Sequence, residues 1–166
     1  WRIPLAPEGG SLLRPTLMSE IRLPWKPGQK VIELGGGENP VVRPNVDSRW
    51  VKECDLVADL NYPIPLASGE WEGVFTKYVV EHMSWRNVRT LLSEMYRLLK
   101  PGGLAVIITA NLLEQARKLV GTPEWNDDLI SMIFGDQNYP ENSHKAGFSP
   151  SYITKLLNET CFYKIE

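Results

Sequence analysis

The sequence predicts an α/β protein, a doubly wound and mostly parallel sheet with helices on both faces. Three observations carry that expectation. Val31-Ile32-Glu33-Leu34 is a short apolar run that breaks into Gly35-Gly36-Gly37, the pattern of a buried strand ending in a tight turn. Strand-like and helix-like periods then alternate along the chain. Lys100-Pro101-Gly102-Gly103 finally separates an amphipathic helical stretch from a second apolar run, Leu104 to Thr109.

Residues 1–29 read as a Pro-rich N-terminal arm. Pro4, Pro7, Pro15, Pro24 and Pro27, with Gly9, Gly10 and Gly28, forbid a long helix or a central strand there. Its apolar members Trp1, Ile3, Leu5, Leu12, Leu13, Leu17 and Trp25 suit a surface wrap on the domain of residues 30–166 better than a substrate lid. After the glycines, Val41 to Val46 is too short for a crossover helix, because a strand-helix-strand unit needs about 30 residues. A turn or 3₁₀ segment is expected instead. Asn45-Val46-Asp47 reads as a second strand and Leu56 to Leu60 as a third, so that three successive strands carry an acid near the carboxyl end: Glu33, Asp47 and Asp59.

Gly73 to Val79 follows as a fourth strand, and Ser84 is expected to cap the next helix. In that helix Val88, Leu91, Leu92, Met95, Leu98 and Leu99 fall on one face. Leu104 to Thr109, continuously apolar, reads as a fifth strand buried on both faces. Residues 112–134 read as helical with a break at 121–123, residues 136–148 as a polar loop, Ser149 to Glu159 as a last helix and Cys161 to Ile165 as the start of a strand.

One domain is the natural count for 166 residues. An apolar content of 43% with net charge −2 is that of an ordinary soluble globular chain, neither disordered nor fibrous. Lys and Arg are scattered, with no basic run interleaved with aromatics, so nucleic acid is not an expected partner. Cys54 and Cys161 lack CxxC spacing, which argues against a disulfide framework or zinc and for a reducing, cytoplasmic setting. No window approaches the ~20 apolar residues of a membrane span. The chain opens on Trp1 rather than Met, which reads as a fragment or a trimmed chain.

The glycine loop does not fit a dinucleotide site. The third glycine of G-x-G-x-x-G is replaced by Pro40, and Asp47 comes 12 residues after Gly35 where about 20 are needed. No Gly-Lys-Ser/Thr follows, so a P-loop is excluded. Five features in order point elsewhere: Glu33-Leu-Gly-Gly-Gly37, Asp47, Ala58-Asp59-Leu60, Val79-Val80-Glu81-His82 and Leu98-Leu-Lys-Pro-Gly-Gly103. With these, residues 30–166 resemble the class I, Rossmann-like S-adenosylmethionine-dependent methyltransferases. The subgroup resembled is a small prokaryotic one with a shortened first helix and a late His-Lys-x-Gly-Phe segment, here His144 to Phe148.

The resemblance implies S-adenosylmethionine as cofactor and a site drawn from Glu33, Gly35, Gly36, Gly37, Asn39, Asp47, Asp59, Leu60, Lys77 and Tyr78. Gly35 and Gly37 would bring backbone against the methionine part, and Glu33 would help hold its amino group. Asp47 would take the ribose hydroxyls and Asp59 the adenine amino group beside Leu60. The main chain at Lys77 and Tyr78 would complete the methionine pocket. A sheet edge gathering Glu33, Asp47, Asp59 and Glu81 also suits a cationic sulfonium better than a pyrophosphate. Taken singly, Glu33 also reads as a buried acid paired with Lys30 or Arg43, and Asp47 and Asp59 as turn residues.

Methyl transfer from a sulfonium is an in-line displacement whose leaving group needs no proton, so positioning supplies most of the acceleration. A base matters only for an acceptor that carries a proton. His82 is the first candidate, with Tyr78, Glu81 and His144 behind it. His82 reads equally well as a capping or backbone-bonded residue. Tyr78 stands where the related small-RNA 2′-O-methyltransferases have the first acid of Glu-x-x-Glu-His, so no metal is expected. Asn/Asp-Pro-Pro-Tyr and Pro-Cys are absent too, which leaves a small-molecule hydroxyl or amine, on a sugar or natural product, as the expected acceptor. Trp50, Trp71, Trp85 and Trp125 read as core before acceptor walls. The family's sheet closes with an antiparallel hairpin of which only a first strand is expected here, near Phe162. The alternatives are a catalytically inert methyltransferase-like binding or scaffold domain of a larger protein and, less well matched, an NAD-dependent oxidoreductase.

Overall fold

Val31–Leu34 (β1), Asn45–Asp47 (β2), Leu56–Val57 (β3), Trp71–Lys77 (β4) and Leu99–Ile108 (β5) form one sheet in the order β3-β2-β1-β4-β5. Every pairing is parallel. The computed structural model describes residues 22–122 and 124–166, so the expected packing of Trp1 to Leu17 lies outside the described residues. From β1 the chain passes to β2 on one side while β4 pairs on the other, which puts the reversal of strand order, and the crevice it opens, at the carboxyl end of β1. No helix joins β1 to β2, as their spacing predicts.

Alternation along the strands divides the core in two. Ile32, Leu34 and Val74 face one way and join the apolar stripe of α1 (Val88–Leu98), whose Leu91, Leu92, Met95 and Leu98 are fully buried. Phe148 and Leu156, the latter from α4 (Pro150–Glu159), complete that cluster. Ser149 caps α4 by accepting the Tyr152 N–H. On the other face, Gly73 and Phe75 lie beside Val31 and Glu33, and Trp25 packs edge-on against Phe75 at 6.5 Å. The arm thus contributes at least this one residue to the domain. Between β5 and α4 lie α2 (Leu112–Gly121) and α3 (Asp127–Phe134), which bracket the expected break and are capped by Asn111 and Asn126.

Several boundaries differ from those read in the sequence. Ser84 does not cap α1: its carbonyl accepts the Asn87 and Val88 N–H groups in a preceding turn, and the helix begins at Val88. β3 stops at Val57, after which the Ala58 N–H still reaches the Asp47 carbonyl. β5 starts at Leu99 and takes in the Lys-Pro-Gly-Gly turn through an irregular register against Trp71 and Gly73. Nor is β5 buried on both faces: it is the last strand of the sheet among the described residues, and Leu104 is 46% exposed. Residues 161–165 are not a strand, because the Phe162 N–H turns back to the Leu157 carbonyl and its ring packs on Tyr96. Among the described residues no helix is long and apolar enough to cross a membrane.

Gly73 packs directly against the Trp25 ring. A Cβ there would sit 2.3 Å from the Trp25 ring. Gly73→Ala should therefore lower unfolding free energy by about 1–3 kcal/mol through overpacking, read by urea denaturation, and Trp25→Ala in the same chain should reduce that cost.

Candidate cofactor and active site

Past the carboxyl ends of β1 to β4 lies a cavity of about 390 Å³. Gly35 and Gly37 line it from the loop after β1, Asp47, Ser48 and Arg49 from the end of β2, Asp59, Leu60 and Asn61 from the end of β3, and Tyr78 and Val79 from the end of β4. His82 and Met83 follow in and after the 3₁₀ turn Val80–His82, and Tyr139, Glu141 and Lys145 close it from the loop before α4.

The glycine loop is fixed by side chains. Gly37 adopts φ +56°, and a Cβ on it would meet little but the Arg49 guanidinium at 3.8 Å, so the backbone lies bare toward the cavity. The Asn45 amide accepts the Gly36 N–H at 2.9 Å and donates to the Gly37 carbonyl at 3.2 Å, while Asp47 Oδ2 accepts the Gly37 N–H at 2.9 Å. Asp47 Oδ1 takes the Arg49 N–H at 2.9 Å, and each oxygen keeps a further lone pair for a ligand. Asp59 is held by Asn61, which donates to Oδ1 from its backbone and its side chain. Tyr78 sits at φ +55°, a conformation that a tyrosine adopts only under constraint and that places it at the cavity mouth.

Of the residues proposed from the sequence, Gly35, Gly37, Asp47, Asp59, Leu60, Tyr78 and His82 meet in this cavity. Glu33 does not line it. At 2% exposure its carboxylate faces back into the loop, where Oε2 accepts the Val41 and Val42 N–H groups at 2.6 Å each. Burial raises the Glu33 pKa, opposed by those two bonds and by the Lys77 charge. Its expected partners are engaged elsewhere, Lys30 with Glu70 and Arg43 with Asp55. Gly36 is turned to Asn45, Lys77 lies beside the Tyr78 ring at 5.7 Å, and Asn39 borders a separate hollow with Glu38 and Trp50 to Glu53.

Glu81 and His144 stand behind the cavity wall. Glu81, 2% exposed, accepts the Thr109 hydroxyl at 2.9 Å on Oε2 and has no partner on Oε1. Burial pushes its pKa up, against hydrogen bonds from its own backbone and Thr109. His82 and His144 pack edge to face at 4.8 Å, with His82 Nδ1 3.3 Å from the Ser143 carbonyl. Burial, then the His144 charge, lowers the His82 pKa, opposed by bonds to the Ser143 and Glu141 backbone. Burial thus favours the neutral form of this imidazole.

None of the four tryptophans weighed as acceptor walls borders this cavity. Trp71 is buried under Lys30, while Trp50, Trp85 and Trp125 are exposed. Arg49, Tyr139, Glu141 and Lys145 were not singled out from the sequence. Their places depend on where two loops fold, and no local pattern encodes that.

A family model described as a methyltransferase domain matches residues 38–107. No curated protein matches the sequence. Among solved structures, a SAM-dependent methyltransferase from Archaeoglobus fulgidus superposes with TM-score 0.60 at 21% identity, covering 83% of this chain and 62% of that one. A complex of the Haloferax volcanii Trm112 methyltransferase activator with a methyltransferase gives 0.58 at 13% identity, covering 87% and 66%. A SAM-dependent methyltransferase from Thermotoga maritima gives 0.59 at 15% identity, covering 84% and 66%. At such identities the likeness is one of fold. The chain spans less than two thirds of the length of each of these structures. Sheet order and superposition together give this chain the fold of the class I methyltransferases, and residues 38–107 match the methyltransferase-domain model.

The buried carboxyl gives this site a pH signature. Because the folded pKa of Glu81 is raised, its contribution to stability is complete below the ordinary value of 4.5 and is lost as pH rises through the folded value. Glu81→Gln should lose less stability than the wild type between pH 4.5 and 8, and parallel urea midpoints across that range would contradict it.

Proposed function

We propose that this chain transfers a methyl group from S-adenosylmethionine to a small-molecule hydroxyl or amine, with its cofactor in the cavity past β1. The observation that carries this reading is the convergence of bare glycine backbone, two strand-end carboxylates, an apolar flank and a neutral histidine in one cavity. Its volume of about 390 Å³ lies within the roughly 300–1,000 Å³ of small-molecule sites. The residues present fit the cofactor. Asp47 would hold the ribose hydroxyls through its spare lone pairs, Leu60, Val79 and Met83 would offer apolar surface to the adenine, Asp59 would take its amino group, and the bare backbone of Gly37 would leave room for the methionine part, Gly35 being packed under Val79.

When bound, S-adenosylmethionine supplies an electrophilic methyl group on a sulfonium. The work left to the protein is to hold the acceptor in line with it and to exclude water. His82, neutral by burial, accepts the proton of a hydroxyl acceptor. His144 orients the His82 ring, and Tyr78 bounds the space between cofactor and acceptor. Glu81, turned into the interior, supports the loop rather than acting as a base. A small acceptor in a cytoplasmic setting belongs to the same reading.

Calorimetric titration with S-adenosylmethionine tests it, since well-folded protein that takes up none would instead be an inert scaffold domain. Asp47→Asn should weaken S-adenosylhomocysteine affinity by about 1–3 kcal/mol, and unchanged affinity would remove the ribose assignment. With a hydroxyl acceptor, His82→Gln should lower kcat by about 10²- to 10⁴-fold while cofactor affinity stays near the wild-type value.

A further inference from the structure

Arg49, just past β2, and Tyr139, in the loop before α4, meet across the mouth of the cavity. The Arg49 guanidinium carbon lies 3.9 Å from the centre of the Tyr139 ring, and its Nε lies 4.0 Å from Asp47 Oδ1. The same guanidinium backs onto Gly37, so a carboxylate, a glycine loop and an aromatic ring surround it, and the Arg49 side chain is only 29% exposed. A cation partly removed from water is attracted to a ring face more strongly than an exposed one.

The loop that carries Tyr139 is tied to the 3₁₀ turn after β4, where His82 also meets the Ser143 and Glu141 backbone, and it is hydrogen-bonded within itself around Tyr139. Lys145 and Ala146 donate to the Glu81 carbonyl at 2.8 and 3.0 Å, and His144 donates to that of Phe134 at 2.9 Å. At the tip, Gln137 donates to the Asn142 carbonyl and Asn142 to that of Tyr139. The stack on Arg49 is a second tie, fastening the loop to the β2 side of the cavity.

We propose that Arg49 and Tyr139 form a clasp that fastens this loop over the adenosine end of the cleft once cofactor is bound. The inference rests on the cofactor site described above. The contact is a closure rather than a plug, because at 4.0 Å the Arg49 Nε is beyond hydrogen-bonding distance of Asp47 and leaves its ligand-facing lone pairs open. Arg49 and Tyr139 are positioning residues that act through the lifetime of the bound nucleoside.

Stopped-flow binding of S-adenosylhomocysteine tests the clasp. Arg49→Ala and Tyr139→Ala should each raise the dissociation rate roughly two- to thirtyfold, the span of a cation–π contact from exposed to desolvated settings, with association little changed. Tyr139→Phe should restore slow release, and the double variant should be no faster than the worse single one. Wild-type release rates in both alanine variants, or faster association with unchanged release, would overturn the clasp alone. Wild-type protein that binds no S-adenosylhomocysteine would overturn both the clasp and the cofactor site.

Discussion

The architecture of this cleft depends on the capture of main-chain polar groups by buried side chains of β1 and β2. A loop that leaves a strand without entering a helix has no intrahelical partners for its N–H groups, and leaving such groups buried and unpaired costs about 1–3 kcal/mol each. Here Glu33 takes the Val41 and Val42 N–H groups, Asn45 both donates to and accepts from the glycine loop, and Asp47 takes the Gly37 N–H. Three side chains replace what a crossover helix supplies in a longer connection. Asp47 does double duty, since the carboxylate that shapes the loop also faces the cavity.

A second junction forms after β4. The Glu81 carbonyl anchors the loop before α4, its carboxyl reaches the Thr109 hydroxyl just past β5, and its neighbour His82 enters the cavity wall. One short stretch thereby couples the end of the sheet, the loop and the site. Burial has the same origin for both groups and opposite results: it favours the neutral form, raising the carboxyl pKa and lowering that of the imidazole.

Sequence reasoning succeeded where period and spacing are local. The strand at Val31, the missing helix before Asn45 and the buried face of α1 all follow from patterns within one element. It went astray where the answer depends on what lies across space. An acid at a strand end points to a ligand or to backbone with equal local signal, which is why Glu33 and Asp47 look alike in the sequence and differ in the fold. The apolar run of β5 reads as central, yet its exposure is set by its place in the strand order. Arg49 and Tyr139 are 90 residues apart in the chain and carry no shared motif, so their stack could be found only in three dimensions.

The orientation of Glu33 and Glu81 changes the electrostatics of the site. With both turned inward, the acids lining the cavity are Asp47, Asp59 and Glu141, set against Arg49 and Lys145. A ring of four carboxylates would bind a sulfonium strongly in the ground state, and binding that is not stronger in the transition state does not raise kcat. As the methyl moves, positive charge leaves sulfur, so a strongly anionic cleft would stabilise the starting state more than the transition state. On the proposed function, a nearly balanced cleft would avoid that penalty and would leave recognition of the nucleoside to Asp47 and Asp59. The two buried acids hold loops in place and keep their charge out of the cavity, which the proposed methyl transfer would require.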